Sequence, residues 1–262
     1  MKTKQAYLTK RDRLILAHIA EFNLTTAEIV KHLFYENLKM GAVDSTLRRL
    51  REKYGLIEAD KFYGQRKKYF RLTHAGAKLI GKTLDKEELG VQKAAASFAR
   101  LQFLCVNPTG IVRSLCVPSK HPEIFKTSSI RPPKIDFYVA ENTLKNQESP
   151  SIYLGAIIID FNSHPKRIVK RCINHTRKFI RRGMFAEIMK AGRFEITVLT
   201  GTRLMKEAID LNLNRELRRQ LRIDVFKHGL DLPDSFPVKA LTVVIPGLNT
   251  LVPQAKNRKA RQ

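Results

Sequence analysis

Apolar side chains in the first part of the chain recur every three or four positions, which is the spacing of amphipathic helices. The pattern predicts three helices, over residues 10–21, 27–33 and 44–54. Gly55 follows the third helix, and glycine often ends helices because it adopts the left-handed conformation without strain. Residues 35–43 are predicted to connect the second helix to the third, with Gly41 as the pivot.

Two short extended segments follow the helical region and are joined by a turn at Gly64, as a hairpin requires; they cover residues 56–62 and 67–72. Thr73 is expected to cap a fourth helix over residues 74–82. Three helices, a hairpin and a closing helix form the element order of a winged helix-turn-helix. We therefore expect residues 1–83 to fold as a domain of this kind.

The second half of the chain has a different pattern, in which short apolar runs of strand length alternate with helical stretches. Strands are predicted at residues 101–106, 111–117, 135–139, 152–161, 195–199, 223–226 and 240–245. Helices are predicted at residues 166–182, 203–211 and 215–221. This alternation favours an α/β domain over residues 102–252, with a sheet that is at least partly parallel.

The remaining segments are predicted to connect or extend these domains. Residues 84–101 have an Ala-rich helical pattern that fits a linker helix, and a dimerisation helix is the alternative. Loops are expected at residues 119–133 and 142–151, and a basic tail at residues 253–262. The fold class is therefore expected to be α+β, with a winged helix-turn-helix followed by an α/β domain.

The charge balance of the chain points to a polyanionic partner. Lys and Arg number 49 against 24 Asp and Glu, which gives a formal net charge of +25. Nucleic acid is the favoured partner and an anionic membrane surface is the second choice. No segment approaches the ~18 consecutive apolar residues that span a bilayer, so no membrane partner is expected.

The three cysteines, Cys105, Cys116 and Cys172, are predicted to be small buried hydrophobic side chains. They show no metal-ligand spacing, and apolar residues surround each of them. This use of cysteine fits a reducing compartment, so we expect a cytoplasmic protein.

The third predicted helix carries basic residues between its core positions and is the candidate DNA-reading element. In a helix-turn-helix, one helix enters the major groove while neighbouring elements contact phosphates. Arg49 is the predicted base-reading residue because arginine bonds bidentately to guanine, and Arg48 is expected to contact phosphate. The candidate DNA-binding residues of this helix are Ser45, Thr46, Arg48, Arg49, Arg51 and Lys53.

The predicted hairpin supplies a second basic cluster around its turn at residues 63–65. Its candidate DNA-binding residues are Lys61, Arg66, Lys67, Lys68 and Arg71. A wing with such a cluster suits contact with phosphates or with the minor groove. Two alternatives remain open: basic residues on an exposed face are often only solvated, and a wing can also pack against protein.

The junction after the hairpin resembles that of many bacterial winged-helix regulators. Residues 48–57, a Tyr-containing hairpin and residues 70–76 carry the resemblance. In those families a leucine, a threonine, two further residues and a glycine mark the step from wing to last helix, and Leu72, Thr73 and Gly76 match this signature. The resemblance implies the fold and leaves the regulated process open.

Two aspartates in the second half resemble the acids of restriction-endonuclease-like folds. In those folds an Asp begins one strand, and an acid, a spacer and a Lys end the next. Asp136 and Asp160 match the acids, whereas Asn162 occupies the Lys position. Such carboxylates hold Mg²⁺ or Mn²⁺, and the lysine helps to activate water, a task that Lys166 or Lys170 could take over here.

An inactive nuclease-like domain is favoured, because asparagine cannot supply the positive charge of the missing lysine. An active metal-dependent nuclease that uses Asp136 and Asp160 is one alternative, and an unrelated α/β domain is the other. No cofactor is expected unless the active nuclease alternative holds, in which case Mg²⁺ or Mn²⁺ is required.

The predicted helix over residues 166–182 has an apolar face and a strongly cationic face without acids. So dense a cationic face repels itself unless an anion lies against it, which favours a second contact with a DNA backbone. An ordinary amphipathic surface helix is the alternative. The candidate DNA-binding residues here are Lys166, Arg167, Lys170, Arg171, Arg177 and Lys178.

The pairing of a winged helix with such a second domain resembles the replication-relaxation family of plasmid and mobile-element proteins. The resemblance implies a sequence-specific double-stranded DNA-binding protein that regulates replication or transcription of a mobile element. A homodimer is possible, since winged-helix regulators often dimerise to match two-fold sites. One alternative is the metal-dependent nuclease. The other is an assembly protein that is tethered to DNA by its winged helix.

Overall fold

A computed structural model describes residues 8–83, 89–106, 111–117, 121–125, 135–142, 152–230 and 236–253. It is a mixed α+β structure with one two-stranded and one five-stranded sheet among these residues. The chain divides into two compact units: unit 1 is Met1–Val106 with Thr250–Gln262, and unit 2 is Asn107–Asn249.

Unit 1 contains helices on both sides of a β-hairpin in the sequence. Its elements are α1 (Lys10–Phe22), α2 (Ala27–Phe34), α3 (Met40–Arg48), β1 (Ile57–Lys61), β2 (Lys68–Leu72), α4 (His74–Leu79) and α5 (Val91–Cys105). Threonine side chains cap three of the helices: Thr9, Thr26 and Thr73. Ile15, Leu16 and Ile19 of α1 are fully buried in the core that the helices and the hairpin share.

A single residue between α1 and α2 pairs with the hairpin and joins it to the helices. Thr25, between α1 and α2, pairs with Phe70 of β2 through two backbone hydrogen bonds of 2.9 and 2.8 Å. This pairing was not predicted from the sequence, because a single bridged residue leaves no periodic pattern.

The helix α3 begins earlier than the sequence suggested. Residues 40–43 were predicted to belong to a connection, but α3 starts at Met40 and includes Gly41. Glycine in a helix interior costs about 1 kcal/mol, and the burial of Val43 in the core compensates for it. A single π-helical turn, Arg49–Lys53, continues α3 as far as Gly55, which has a φ of +62°.

The segment predicted as a strand at residues 101–106 is the end of helix α5. Leu101, Phe103 and Leu104 are buried on that helix, and Phe98 packs against Phe62 of the hairpin region at 5.2 Å between ring centroids. A short apolar run does not distinguish a buried helix from a strand, which is why the prediction was wrong. Residues 84–88 of the predicted linker lie outside the described residues.

Unit 2 is built on the five-stranded sheet, in the order β3-β4-β5-β6-β7. Its elements are β3 (Ile111–Cys116), α6 (Pro122–Phe125), β4 (Asp136–Asn142), β5 (Ile152–Ile159), α7 (Pro165–Arg181), α8 (Ala186–Lys190), β6 (Phe194–Thr200), α9 (Arg203–Lys227) and β7 (Val238–Val244). The first three strands are antiparallel, and β6 and β7 add in parallel to β5. The parallel steps contain α7 and α9, as crossover connections require.

One long helix replaces two predicted helices and a predicted strand. Residues 223–226 were predicted as a strand, but they lie within α9. Ile223, Val225 and Phe226 are residue types that favour a strand locally, which is why the prediction was wrong. In the helix, Val225 packs into the core whereas Ile223 and Phe226 are exposed.

The predicted loops are described only in part. Residues 122–125 of the first form the short helix α6, and Asn142 of the second ends β4. Residues 118–120, 126–134 and 143–151, and the tail from residue 254 onward, lie outside the described residues.

All three cysteines are free thiols, and Cys116 and Cys172 are buried. Burial raises the pKa of the Cys172 thiol to about 12, and that of Cys105 also to about 12. The reactive thiolate form is therefore scarce at neutral pH.

Candidate nucleic-acid interface

Residues of α3 and of β2 line one groove on the surface of unit 1. The groove has a volume of about 320 Å³, and its lining consists of Gly41, Asp44, Ser45, Leu47, Arg48, Arg51, Lys68 and Phe70. Ser45, Arg48 and Lys68 are exposed there. The structure thus brings together candidates from both basic clusters that the sequence predicted separately.

Arg49 has an intramolecular partner. Its guanidinium lies 2.7 Å from the carboxylate of Asp12, which is buried. The same carboxylate accepts a hydrogen bond of 2.9 Å from the backbone N–H of Thr9 at the start of α1. Because a buried carboxylate needs a cationic partner, Arg49 anchors α3 to α1, and base reading by Arg49 stays a prediction.

Thr46 does not lie on the exposed face, contrary to the sequence interpretation. It is buried, and its hydroxyl shares a hydrogen bond of 2.8 Å with the hydroxyl of Tyr35. Because α3 starts at Met40, Val43 is part of the helix, and Thr46, three positions later, lies on the same buried side.

The other candidates near α3 and in the hairpin differ in their partners. Arg51 pairs with Glu52 at 2.5 Å, and Arg71 pairs with Glu58 at 2.9 Å. By contrast, a set of exposed cations has no acidic partner at salt-bridge distance among the described residues: Arg48, Lys53, Lys61, Arg66 and Lys68.

Lys67 faces protein rather than open solvent. Its ammonium lies 3.7 Å from the carboxylate of Glu28 and 4.9 Å from the centre of the Phe98 ring. One of the five predicted wing residues therefore helps to hold the hairpin against α2 and α5.

The cationic helix of unit 2 is α7, and its residues also divide into two groups. Arg177 lies 3.3 Å from the carboxylate of Asp224 on α9, and Arg171 donates a hydrogen bond of 3.3 Å to the backbone carbonyl of Ile159. The other four candidates are exposed: Lys166, Arg167, Lys170 and Lys178.

His175 lies among these cations. Burial lowers the pKa of its imidazole, and the positive charges of Arg171 and Lys178 lower it further. The ring is therefore mainly neutral at neutral pH and adds hydrogen-bonding capacity rather than charge to this surface.

Asp136 and Asp160 lie toward the same end of the sheet of unit 2. Asp136 begins β4 and pairs in register with Ile157, three positions before Asp160. Asp160 is buried, and its two carboxylate oxygens accept hydrogen bonds from the Ser163 backbone N–H at 2.7 Å and from the Thr200 hydroxyl at 3.3 Å.

These two hydrogen bonds fix the orientation of the Asp160 carboxylate and hold the turn after β5. Among the described residues, no group of three or more His, Cys, Asp or Glu side chains is placed to hold a metal ion. Asn162, at the expected lysine position, has a φ of +65° and donates a hydrogen bond of 3.4 Å to the carbonyl of Asn249.

Sequence reasoning missed two aspartates that form ion pairs with predicted DNA-binding arginines. Asp12 binds Arg49, and Asp224 binds both Arg177 and Arg181. The partners are more than thirty residues apart in sequence in each case. No local spacing rule detects such a pair. An acid at a buried position of a helix was nevertheless a signal that a cation pairs with it.

No protein-family model, no curated protein and no solved structure matches this chain. The function is therefore inferred from the geometry and the charge of its own residues. Within the described ranges, no helix combines the length and the apolar character that crossing a membrane requires.

Proposed function

We propose that the chain is a sequence-specific double-stranded DNA-binding protein and that unit 1 is its winged helix-turn-helix. The observation that carries the proposal is the groove in which Arg48 of α3 and Lys68 of β2 lie together, exposed and without an acidic partner among the described residues. A helix and a wing that present cations to one groove are what simultaneous contact with a major groove and a phosphate backbone needs.

The arrangement of elements supports the winged-helix interpretation. The order of three helices, a hairpin and a helix agrees with it, and the pairing of Thr25 with Phe70 adds a third strand position to the hairpin. This bridge ties the two-stranded hairpin to the helices, so the hairpin holds its cations in a defined place relative to α3. Such preorganisation lowers the entropy that is lost on binding.

The residues have separate roles in the proposed complex. Arg48 is the base-reading candidate, because its side chain is exposed and its guanidinium has no acidic partner in the described residues. Arg49 positions α3 by binding Asp12. Lys61, Arg66 and Lys68 of the hairpin region neutralise phosphates, and Ser45 contributes a hydroxyl beside Arg48.

The wider role follows from the resemblance to the replication-relaxation family. It extends the proposal to a cytoplasmic regulator of replication or transcription on a plasmid or other mobile element. Unit 2 is proposed to be a nuclease-like scaffold, since an antiparallel three-stranded meander followed by a parallel crossover agrees with that core. The proposal includes no cleavage step, because Asn162 occupies the position of the lysine that would help to activate water.

The test uses full-length protein and a duplex selected from a random library by the wild-type protein. Arg48→Ala is expected to weaken binding to the selected duplex by about tenfold or more, which is the range for loss of a bidentate base contact. Arg13→Ala removes the same side chain from an exposed position on α1 and serves as the matched control. Equal affinities of the two variants would overturn the proposed role of α3.

A further inference from the structure

We propose that the exposed face of α7 is a second nucleic-acid site, in unit 2, that binds the two phosphate backbones of duplex DNA. This inference extends the proposed function but rests on different residues. It starts from the charge of α7, which contains seven Lys and Arg residues and no acid between Pro165 and Arg181.

Only part of this charge is neutralised within the described protein. Asp224 of α9 binds Arg177 and Arg181, which face the neighbouring helix. The five remaining cations are exposed and have no acidic partner at salt-bridge distance among the described residues: Lys166, Arg167, Lys170, Arg171 and Lys178. Like charges one helical turn apart destabilise a helix, so this face favours an anion that lies against it.

Two surface hollows lie along α7, and Lys170 and Asn174 line both of them. The first has a volume of about 320 Å³ and is lined further by Arg167, Arg171, His175 and Lys178. The second, of about 520 Å³, opens toward α9 and is lined by Lys166, Arg177 and, from α9, Arg215 and Glu216. Arg177 is bound by Asp224 and Arg215 lies 3.9 Å from Glu216, so Lys166 and Lys170 supply the cations of this hollow that have no acidic partner among the described residues. Cations of this kind therefore lie on both sides of the helix.

This two-sided arrangement matches a duplex better than a single strand. A helix with its side chains is about 10–12 Å across, close to the width of the major groove at about 12 Å. A helix that lies along such a groove has one phosphate backbone on each side. The seventeen residues of α7 extend over about 25 Å, enough to follow several base pairs.

The composition of the face also argues against other anionic partners. Its large apolar side chains are all buried: Ile168, Val169, Ile173, Phe179 and Ile180. Binding of single strands relies on exposed aromatic rings for base stacking, and insertion at a membrane surface relies on exposed apolar side chains. The exposed face of α7 offers neither.

The neighbouring helix makes a membrane control necessary. Four strongly exposed apolar side chains lie on α9, namely Leu204, Leu211, Ile223 and Phe226. Together with the cations of α7, they would suit an anionic lipid surface. The experiment therefore includes vesicles as a separate arm.

The experiment compares two full-length variants that each lose four exposed cations. The α7 variant carries Lys166→Gln, Arg167→Gln, Lys170→Gln and Lys178→Gln; the control variant carries Lys190→Gln, Arg193→Gln, Lys227→Gln and Lys239→Gln. Binding to a random-sequence duplex is measured over a series of salt concentrations. The slope of log affinity against log salt is expected to fall by about 0.9 for each lost phosphate contact, hence by roughly 3 to 4 in the α7 variant.

The outcomes separate this site from the proposed role of unit 1. The α7 variant should keep the wild-type preference for the selected over the random duplex, whereas Arg48→Ala should reduce that preference. If Arg48→Ala has no effect but the α7 variant loses slope, the second site stands and the role of α3 fails. Equal slopes of the α7 and control variants overturn the second site.

Two further results would also overturn it. Equal affinity of the wild type for single-stranded and duplex DNA would contradict the two-backbone arrangement. If vesicles with anionic lipid bind the wild type but not the α7 variant, while both bind duplex equally, the partner is a membrane surface. The melting temperatures of both variants should remain close to that of the wild type, since all eight residues are exposed.

Discussion

At the scale of single residues, Asp12 and Arg49 show how a structural pair can resemble a binding residue in sequence. Asp12 is buried on α1, where it completes the cap with Thr9, and its other carboxylate oxygen binds Arg49. From the sequence, Arg49 was predicted to be the base-reading residue of this basic helix. The exposed Arg48 beside it has the accessibility that base reading requires.

We expect Arg49→Ala to lower the free energy of unfolding by about 2 to 3 kcal/mol, because Asp12 then stays buried without its cationic partner. Arg48→Ala removes an exposed side chain and should change the free energy by less than about 0.5 kcal/mol. Urea denaturation of the two variants measures both values. In a double-mutant cycle with Asp12→Asn, a coupling energy near zero would contradict the structural role of the pair.

His18 gives unit 1 a dependence of stability on pH. Burial lowers the pKa of this histidine from 6.5 to about 4, and the nearby Glu21 opposes the shift only weakly. Below pH 6.5 the unfolded chain therefore binds a proton that the folded chain does not bind until about pH 4. The stabilisation is present above pH 6.5 and is lost as the pH falls toward 4.

The expected loss from His18 is roughly 3 kcal/mol, which corresponds to a difference of about 2.5 pKa units. His18→Gln keeps a polar group near Thr25, the hydrogen-bond partner of the ring, but does not titrate. The decrease in the free energy of unfolding between about pH 7 and about pH 4.5 should therefore be smaller in the variant by roughly this amount. An identical decrease in both proteins would show that His18 is protonated normally.

At the scale of elements, the junction between hairpin and α4 explains the threonine–glycine signature physically. The hydroxyl of Thr73 accepts a hydrogen bond of 3.1 Å from the Gly76 backbone N–H and donates one of 2.6 Å to the carbonyl of Gly55. A Cβ at Gly76 would overlap the backbone carbonyl of Leu56. The signature thus combines a helix cap with a close approach of two backbones.

Two glycine substitutions are expected to have opposite effects on stability. Gly76→Ala should be destabilising by about 2 kcal/mol or more, since backbone atoms must move to admit the new methyl group. Gly41→Ala should be stabilising by up to about 1 kcal/mol, because a Cβ there meets no atom within 4 Å and alanine favours the helix. Thermal unfolding followed by circular dichroism compares the two. Destabilisation by Gly41→Ala would contradict the early start of α3.

The elements that the sequence predicted well are those with a strong local signal. α1 and α2 combine helical periodicity with a capping threonine, α7 has an apolar face at helical spacing, and the hairpin has a turn glycine at Gly64. The strands predicted at residues 101–106 and 223–226 are helical in the structure. Both are short, mostly apolar runs, and tertiary contacts override their local preference for a strand. The groove itself was not predictable, because it depends on how β2 packs against α3.

At the scale of the whole molecule, the excess of positive charge is spread over both units. The net charge of +25 includes cations that the protein neutralises itself, such as Arg49 and Arg177, and exposed cations that it does not. Exposed cations lie near the groove of unit 1 and on α7 of unit 2, and others lie elsewhere in unit 2, such as Arg218 and Arg222 on α9. This distribution predicts affinity that falls steeply with salt, since every neutralised phosphate releases counterions.

The most direct test of the central claim is the ratio of affinities for the selected and a scrambled duplex, measured for the wild type and for Arg48→Ala at one salt concentration. We expect the ratio to fall by about tenfold or more in Arg48→Ala and to remain at the wild-type value in Arg13→Ala, because Arg48 is the proposed base-reading residue. A ratio that is unchanged in Arg48→Ala would contradict DNA recognition by α3.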